Sequence, residues 1–134
     1  TATGALRVVL EHDLDAVDTA VRDALKAEGF GVLTEIDVEA TLRSRLGDTE
    51  ADEVGPTRIL GACNPGLAHR ALMTQRDVAM LLPCNVVLRG SGSGRTEVSF
   101  ADPGDMVAVA GDTLADVAAE ARERLTRVVA ALGG

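Results

Sequence analysis

The sequence predicts an α+β domain: one mixed β-sheet of about five strands with helices packed on it, in the order β-α-β-α-β-α-β-β-α. Three observations predict this. Runs whose apolar residues alternate every second position take turns with runs of helical period. Two of the strand runs, "CNVVLRG" and "RTEVSFAD", are joined by the turn "SGSG", so part of the sheet must be antiparallel. The length of 134 residues with 46% hydrophobic content suits a single domain, 1–134, with a real core.

The elements follow in order. "ALRVVLEH" (5–12) reads as a strand with Leu6, Val8 and Leu10 on one face. Asp13 or Asp15 then caps a helix, in which Leu14, Val17, Val21, Ala24 and Leu25 recur at helical spacing. Gly29 ends it, because glycine takes the left-handed conformation that helix ends favour. "FGVLTEI" (30–36) is the second strand. Asp37 caps a short helix carrying Val38, Leu42 and Leu46, closed by Gly47. "DTEADEVGP" (48–56) is acidic and without period, and reads as an exposed loop; it lacks the oxygen-ligand spacing of a calcium loop.

"TRILGAC" (57–63) is the third strand. Asn64-Pro65 is a strong helix start, since Asn is a favoured N-cap and Pro at the first helical position gives up an N–H that has no partner there anyway. That helix runs to about Gln75. Pro83 opens the fourth strand, and the hairpin returns through residues 95–102. "DPGDM" leaves the sheet. A last helix starts near Asp112 or Thr113, with an apolar stripe from Leu114 to Leu132. Two long helices can cover one face of the sheet. If the other face is bare and apolar, a second copy of the chain is expected to cover it as a homodimer.

Composition excludes several functions. There are two Phe, no Tyr and no Trp, so aromatic stacking of single-stranded nucleic acid and aromatic cation cages are not expected. The net charge of −8 disfavours nucleic acid and anionic membrane surfaces. Arg outnumbers Lys twelve to one, which fits a GC-rich genome, and the acidic surface also fits high salt. No apolar run approaches the ~20 residues that span a bilayer, and the start lacks the pattern of a signal peptide. The cytoplasm is the expected compartment. The chain opens on Thr1 rather than Met, so residues 1–4 are expected as a flexible end or an appended remnant.

The candidate chemistry lies in "RILGACNPGLAHRALMTQRDVAMLLPCNVVLRG" (58–90), where both cysteines of the chain stand before asparagine: Cys63-Asn64 and Cys84-Asn85. Cys63 precedes a helix N-terminus, whose free N–H groups favour a thiolate. Equally, a buried cysteine is a common small core residue. Each Asn brings two donors and a carbonyl able to orient a ligand. If the strands ending at Cys63 and starting at Cys84 are parallel, the thiols sit a strand length apart, ~17–20 Å; if they are antiparallel neighbours, the thiols meet. Meeting thiols permit a disulfide, a soft-metal site or a redox pair. There is no CxxC and no four-ligand set, so no zinc site is expected. "GSGSG" (90–94) lacks the Lys and the following helix of a phosphate loop and reads as a turn. Glu35 on a strand and Asp102 near a strand end are further cleft candidates.

"EGFGVLTEIDVEATLRSRLG", "RILGACNPGLAHRAL" and "MLLPCNVVLR" together resemble the widespread prokaryotic domain of unknown function numbered 302, over about Leu6 to Leu132. The shared pattern falls on Gly29, Phe30, Thr34, Glu35, Cys63, Asn64, Pro65, Ala68, Leu72, Pro83, Cys84 and Asn85, with Asp102-Pro103 also fitting; His69 stands where an aromatic such as Tyr is expected. The resemblance implies a small α+β domain that pairs into dimers, and implies no activity. The leading expectation is a domain binding a small molecule or soft metal, its pocket drawn from Cys63, Asn64, Cys84, Asn85, Glu35 and Asp102. The rivals are a thiol redox sensor or enzyme, with Cys63 attacking and Cys84 resolving, and an interaction module with both cysteines in the core.

Overall fold

Capping and glycine set most of the element ends. A computed structural model describes residues 6–133; the expected loose end at 1–4 lies outside the described residues. The chain forms β1 (Arg7–Leu10), α1 (Leu14–Ala27), β2 (Gly31–Asp37), α2 (Val38–Leu46), α3 (Asp48–Val54), β3 (Thr57–Cys63), α4 (Pro65–Thr74), β4 (Cys84–Gly90), β5 (Thr96–Phe100), α5 (Gly104–Ala110) and α6 (Ala115–Ala131). Two 3-10 turns, Arg76–Leu81 and Asp112–Leu114, lead into β4 and α6. Among the described residues no helix is long and apolar enough to cross a membrane.

The Asp13 carboxylate accepts from the Ala16 N–H at 3.0 Å and starts α1. Its end is a Schellman closure: the N–H of Gly29 bonds Lys26 O and that of Phe30 bonds Leu25 O, both at 3.0 Å, with Gly29 at φ +85°. Leu25 and Phe30 are both buried, so the closure also aims β2 back under the helix.

The five strands lie in the order β1-β5-β4-β3-β2, and each neighbouring pair is antiparallel. The sheet is therefore antiparallel throughout rather than mixed. Alternating strands and helices suggest parallel crossovers, and β1 and β2 do point the same way, but they occupy opposite edges and never pair. Between β3 and β4 the chain does not cross the sheet; α4 and the first 3-10 turn bring it back to the end it left. Two helical segments were also hidden in the sequence. The acidic stretch expected as a loop is α3, where Arg43 reaches Asp48 at 2.8 Å and Asp52 at 2.9 Å and offsets the charge repulsion, while Ala51 is buried. The "DPGDM" exit continues into α5, a seven-residue helix too short to show a period.

Two hydrophobic clusters fill the structure. The larger joins one face of the sheet (Leu60, Val86, Leu88, Val98 and Phe100) to the inward stripes of α1 and α6, including Val17, Val21, Leu125 and Val128. These are the two long helices expected on one face. The smaller cluster lies among α4, α5 and α6 and includes Leu67, Ala71, Met106, Leu114 and Val117. Apolar side chains stay exposed on the other face: Val9 is 45% and Ile36 48% accessible. The register places Ile36 opposite Ile59, with Val87 next across, so apolar residues continue over neighbouring strands.

Candidate functional site

The site grows from the return of the chain between β3 and β4. In the ladder, Ala62 faces Cys84 and Gly61 faces Asn85. Side chains alternate along a strand, so Cys84 falls on the helix-covered side with Ala62, and Asn85 on the open side. Cys63 lies one residue past the position paired with Cys84. The antiparallel arrangement thus brings the two cysteines to the same end of the sheet, where both border one slot. Both thiols are free and half-buried.

Local packing makes that return possible. A Cβ on Gly61 would stand 2.2 Å from Thr34 Oγ1 and 2.7 Å from Pro83 Cγ. Only a residue without a side chain lets Thr34 of β2 and Pro83 at the head of β4 lie across β3 here. The Leu82–Pro83 bond is cis. Asn64 caps α4, its Oδ1 accepting from the Leu67 N–H at 3.2 Å, while its Nδ2 donates to Glu28 O at 3.3 Å. Arg124 Nη1 donates to the same carbonyl at 3.0 Å. Close approach at Gly29, where a Cβ would be 2.9 Å from Asn64 Nδ2, completes this tie between α1, α4 and α6.

Where the two hydrophobic clusters meet, packing leaves a narrow slot of about 30 Å³. Its walls are apolar, Phe30 and Ala62 from the sheet side and Leu67, Val117 and Ala121 from the helices, and its only sulfurs are Cys63, Cys84 and Met106. Cys84 and Met106 also line a wider, open recess of about 460 Å³ with Met80, Asn85 and Asp102. Burial pushes the Cys84 thiol up from its ordinary value, and the neighbouring Cys63 adds to the shift. Among the described residues no three His, Cys, Asp or Glu side chains are grouped to hold a metal ion.

The six sequence candidates therefore divide. Cys63, Asn64 and Cys84 surround the slot; Cys84, Asn85 and Asp102 line the recess. Asn64 has both ends of its amide occupied in capping and tying helices, so it builds the wall. Asp102 accepts from the Gly104 N–H at 2.9 Å and pairs with Arg122 at 3.4 Å. Glu35 belongs to neither cavity and is ion-paired with Arg22 of α1. His69 is exposed on α4. Met106 and Met80 were missed, because α5 and the 3-10 turn carry no sequence period that would aim them.

The family described as "Domain of unknown function DUF302" matches residues 6–132. The chain is similar to the crystal structure of an uncharacterized conserved DUF302 protein from Bacillus stearothermophilus, with a TM-score of 0.81 and 28% identity, over 93% of this chain and 94% of that one. No curated protein matches it.

Proposed function

We propose that this chain, which belongs to the DUF302 family, is a ligand-binding domain whose site is the sulfur-lined slot at the head of β4. The observation that carries the reading is that two free thiols border one narrow slot between two hydrophobic clusters. Cores are packed to near-crystalline density, and a residual gap lined by reactive groups is unlike ordinary interior. Its size selects the occupant: pockets for drug-sized molecules run to about 300–1,000 Å³, so the slot takes a ligand of very few atoms.

The redox rival, with Cys63 attacking and Cys84 resolving, is opposed at its second step: burial pushes the Cys84 thiol up and disfavours the thiolate that resolution needs. Alkylation of the folded protein tests the site. Small reagents modify Cys63 and Cys84 before unfolding, bulky ones do not, and protein purified under reducing conditions carries extra mass. If both thiols resist every reagent until denaturation and nothing copurifies, the reading is wrong and both cysteines are core residues.

The bare sheet face supports a homodimer. Ile36, Ile59 and Val87 form an apolar row across three strands that a second copy would cover. Ile36→Lys converts the dimer to monomer in sedimentation experiments; a wild-type chain that sediments as a monomer refutes the dimer. Two free thiols fit a reducing compartment, which supports the cytoplasm.

A further inference from the structure

Sulfur is unevenly placed in this protein. The chain has two Cys and three Met. Both Cys and Met106 line the slot, and Met80 joins Cys84 and Met106 around the adjoining recess. Met80 is 87% accessible, so its thioether stands open to solvent beside the recess. Every other wall of the slot is carbon apart from Asn64, whose amide is occupied. Hard oxygen donors are absent from the slot, and carboxylates stand only in the outer recess, at Asp102 and Asp105.

Resting on the reading of the slot as a binding site, we infer that its ligand is a soft monovalent d10 cation, Cu(I), held by Cys63 and Cys84 with the thioether of Met106, and taken in past Met80. Thiolate and thioether donors select Cu(I), and a set of so few donors does not satisfy the four-coordinate preference of Zn²⁺. A site of about 30 Å³ holds one or two water-sized bodies, room for an ion and not for a metabolite. Binding exchanges two S–H bonds for two Cu–S bonds, with a lone pair donated by Met106. Two protons leave to solvent, and the copper stays Cu(I), so no electron donor or acceptor is needed. Because the ligands must be deprotonated to bind, uptake falls as pH is lowered.

Anaerobic titration of the reduced, full-length protein with Cu(I), against a chromophoric Cu(I) chelator, tests this. One equivalent binds per chain with release of two protons. Cys84→Ser abolishes binding, and the volume-conserving Met106→Leu weakens it on the order of tenfold. Met80→Leu slows loading and leaves the equilibrium affinity unchanged. If no equivalent binds while a small alkylating reagent still reaches both thiols of the folded chain, the copper assignment is overturned and the slot reading stands. If neither enters, both fall. Wild-type affinity in Met106→Leu, with a native melting curve, removes Met106 from the site, and wild-type loading in Met80→Leu removes Met80 from the route.

Discussion

Where β3 begins, carboxylates and guanidinium groups answer one another; where β3 stops, sulfur and carbon line a narrow slot. At the first end, Arg58 of β3 bonds Asp18 at 2.8 Å and Asp15 at 3.0 Å, and Asp18 in turn takes Arg22 at 2.5 Å. Arg22 continues to Glu35, so one chain of charges ties β3, α1 and the edge strand β2. A cleft of about 350 Å³ opens beside it, lined by Asp13, Asp15, Asp37, Glu39 and Arg58. That cleft is larger than the slot and more highly charged, yet its charges are already answered from within the protein. Asp13 and Asp37 cap helices, and Arg58 holds two carboxylates. The contrast teaches that charge density is a poor guide to a site here. Groups with partners hold the fold, and the proposed site is drawn from the groups left over.

The comparison breaks most easily at Asp18, which is 7% accessible. Asp18→Ala strands Arg58 and Arg22 in a half-buried setting, at about 3 kcal/mol by analogy with broken buried pairs. The expected readout is a lower urea midpoint at unchanged slope. At the slot end, Gly61→Ala drives a methyl into Thr34 and Pro83, an overpacking of about 2 kcal/mol. Asn64→Ala removes a helix cap and costs about 1 kcal/mol; thiol alkylation rates at Cys63 stay within the range that this loss of stability explains. Cys63→Ala and Cys84→Ala each cost no more than about 1 kcal/mol, near the value of one buried methylene, yet remove ligand uptake. If instead the cysteine variants unfold the protein and Asp18→Ala does not, the assignment of roles to the two ends is reversed.

The smallest effects are in pH. Burial acts to raise the Asp18 carboxyl, but hydrogen bonds from Arg58 and Arg22 outweigh it and hold the group below its ordinary value of 3.8. A depressed carboxyl contributes stability that is complete above its unfolded pKa and is lost as pH falls through the folded one. Urea midpoints therefore drop below about pH 4, and Asp18→Asn flattens that drop. Cys84 runs the other way. Its raised thiol contributes stability that is whole below the ordinary value of 9.0 and is lost as pH rises through the folded value. Cys84→Ala flattens the alkaline limb, and an unchanged limb in that variant would mean the thiol is better solvated than the structure places it.

How much of this was legible follows the range of the signals. Thr57–Cys63 and Cys84–Gly90 are strands at the residues expected, because Asn-Pro and Pro punctuate them locally. The Asn64 cap was legible for the same reason. Its second bond, to Glu28 O thirty-six residues away, was not, and that bond moves Asn64 from candidate ligand to wall. That Cys63 and Cys84 reach the same end of the sheet depended on which strands pair, and local alternation says nothing about partners. α3 was masked by repulsive acidic composition that only Arg43, on the preceding helix, relieves. Met106 was unreadable because a seven-residue helix defines no face by sequence alone.

The register of β2 against β3 slips between Val32 and Thr34, where the strand carries one residue more than its partner and Leu33 is left 67% accessible. A straight outermost ribbon would offer its unused amides to any other chain, and such stacking has no natural end. The kink interrupts that template within seven residues, and at the opposite rim β1 is only four residues long. Growth by rim-to-rim addition is blunted on both sides. The geometry of one surplus residue thus works against open-ended fibre growth, a protection that the proposed face-to-face dimer would leave in place.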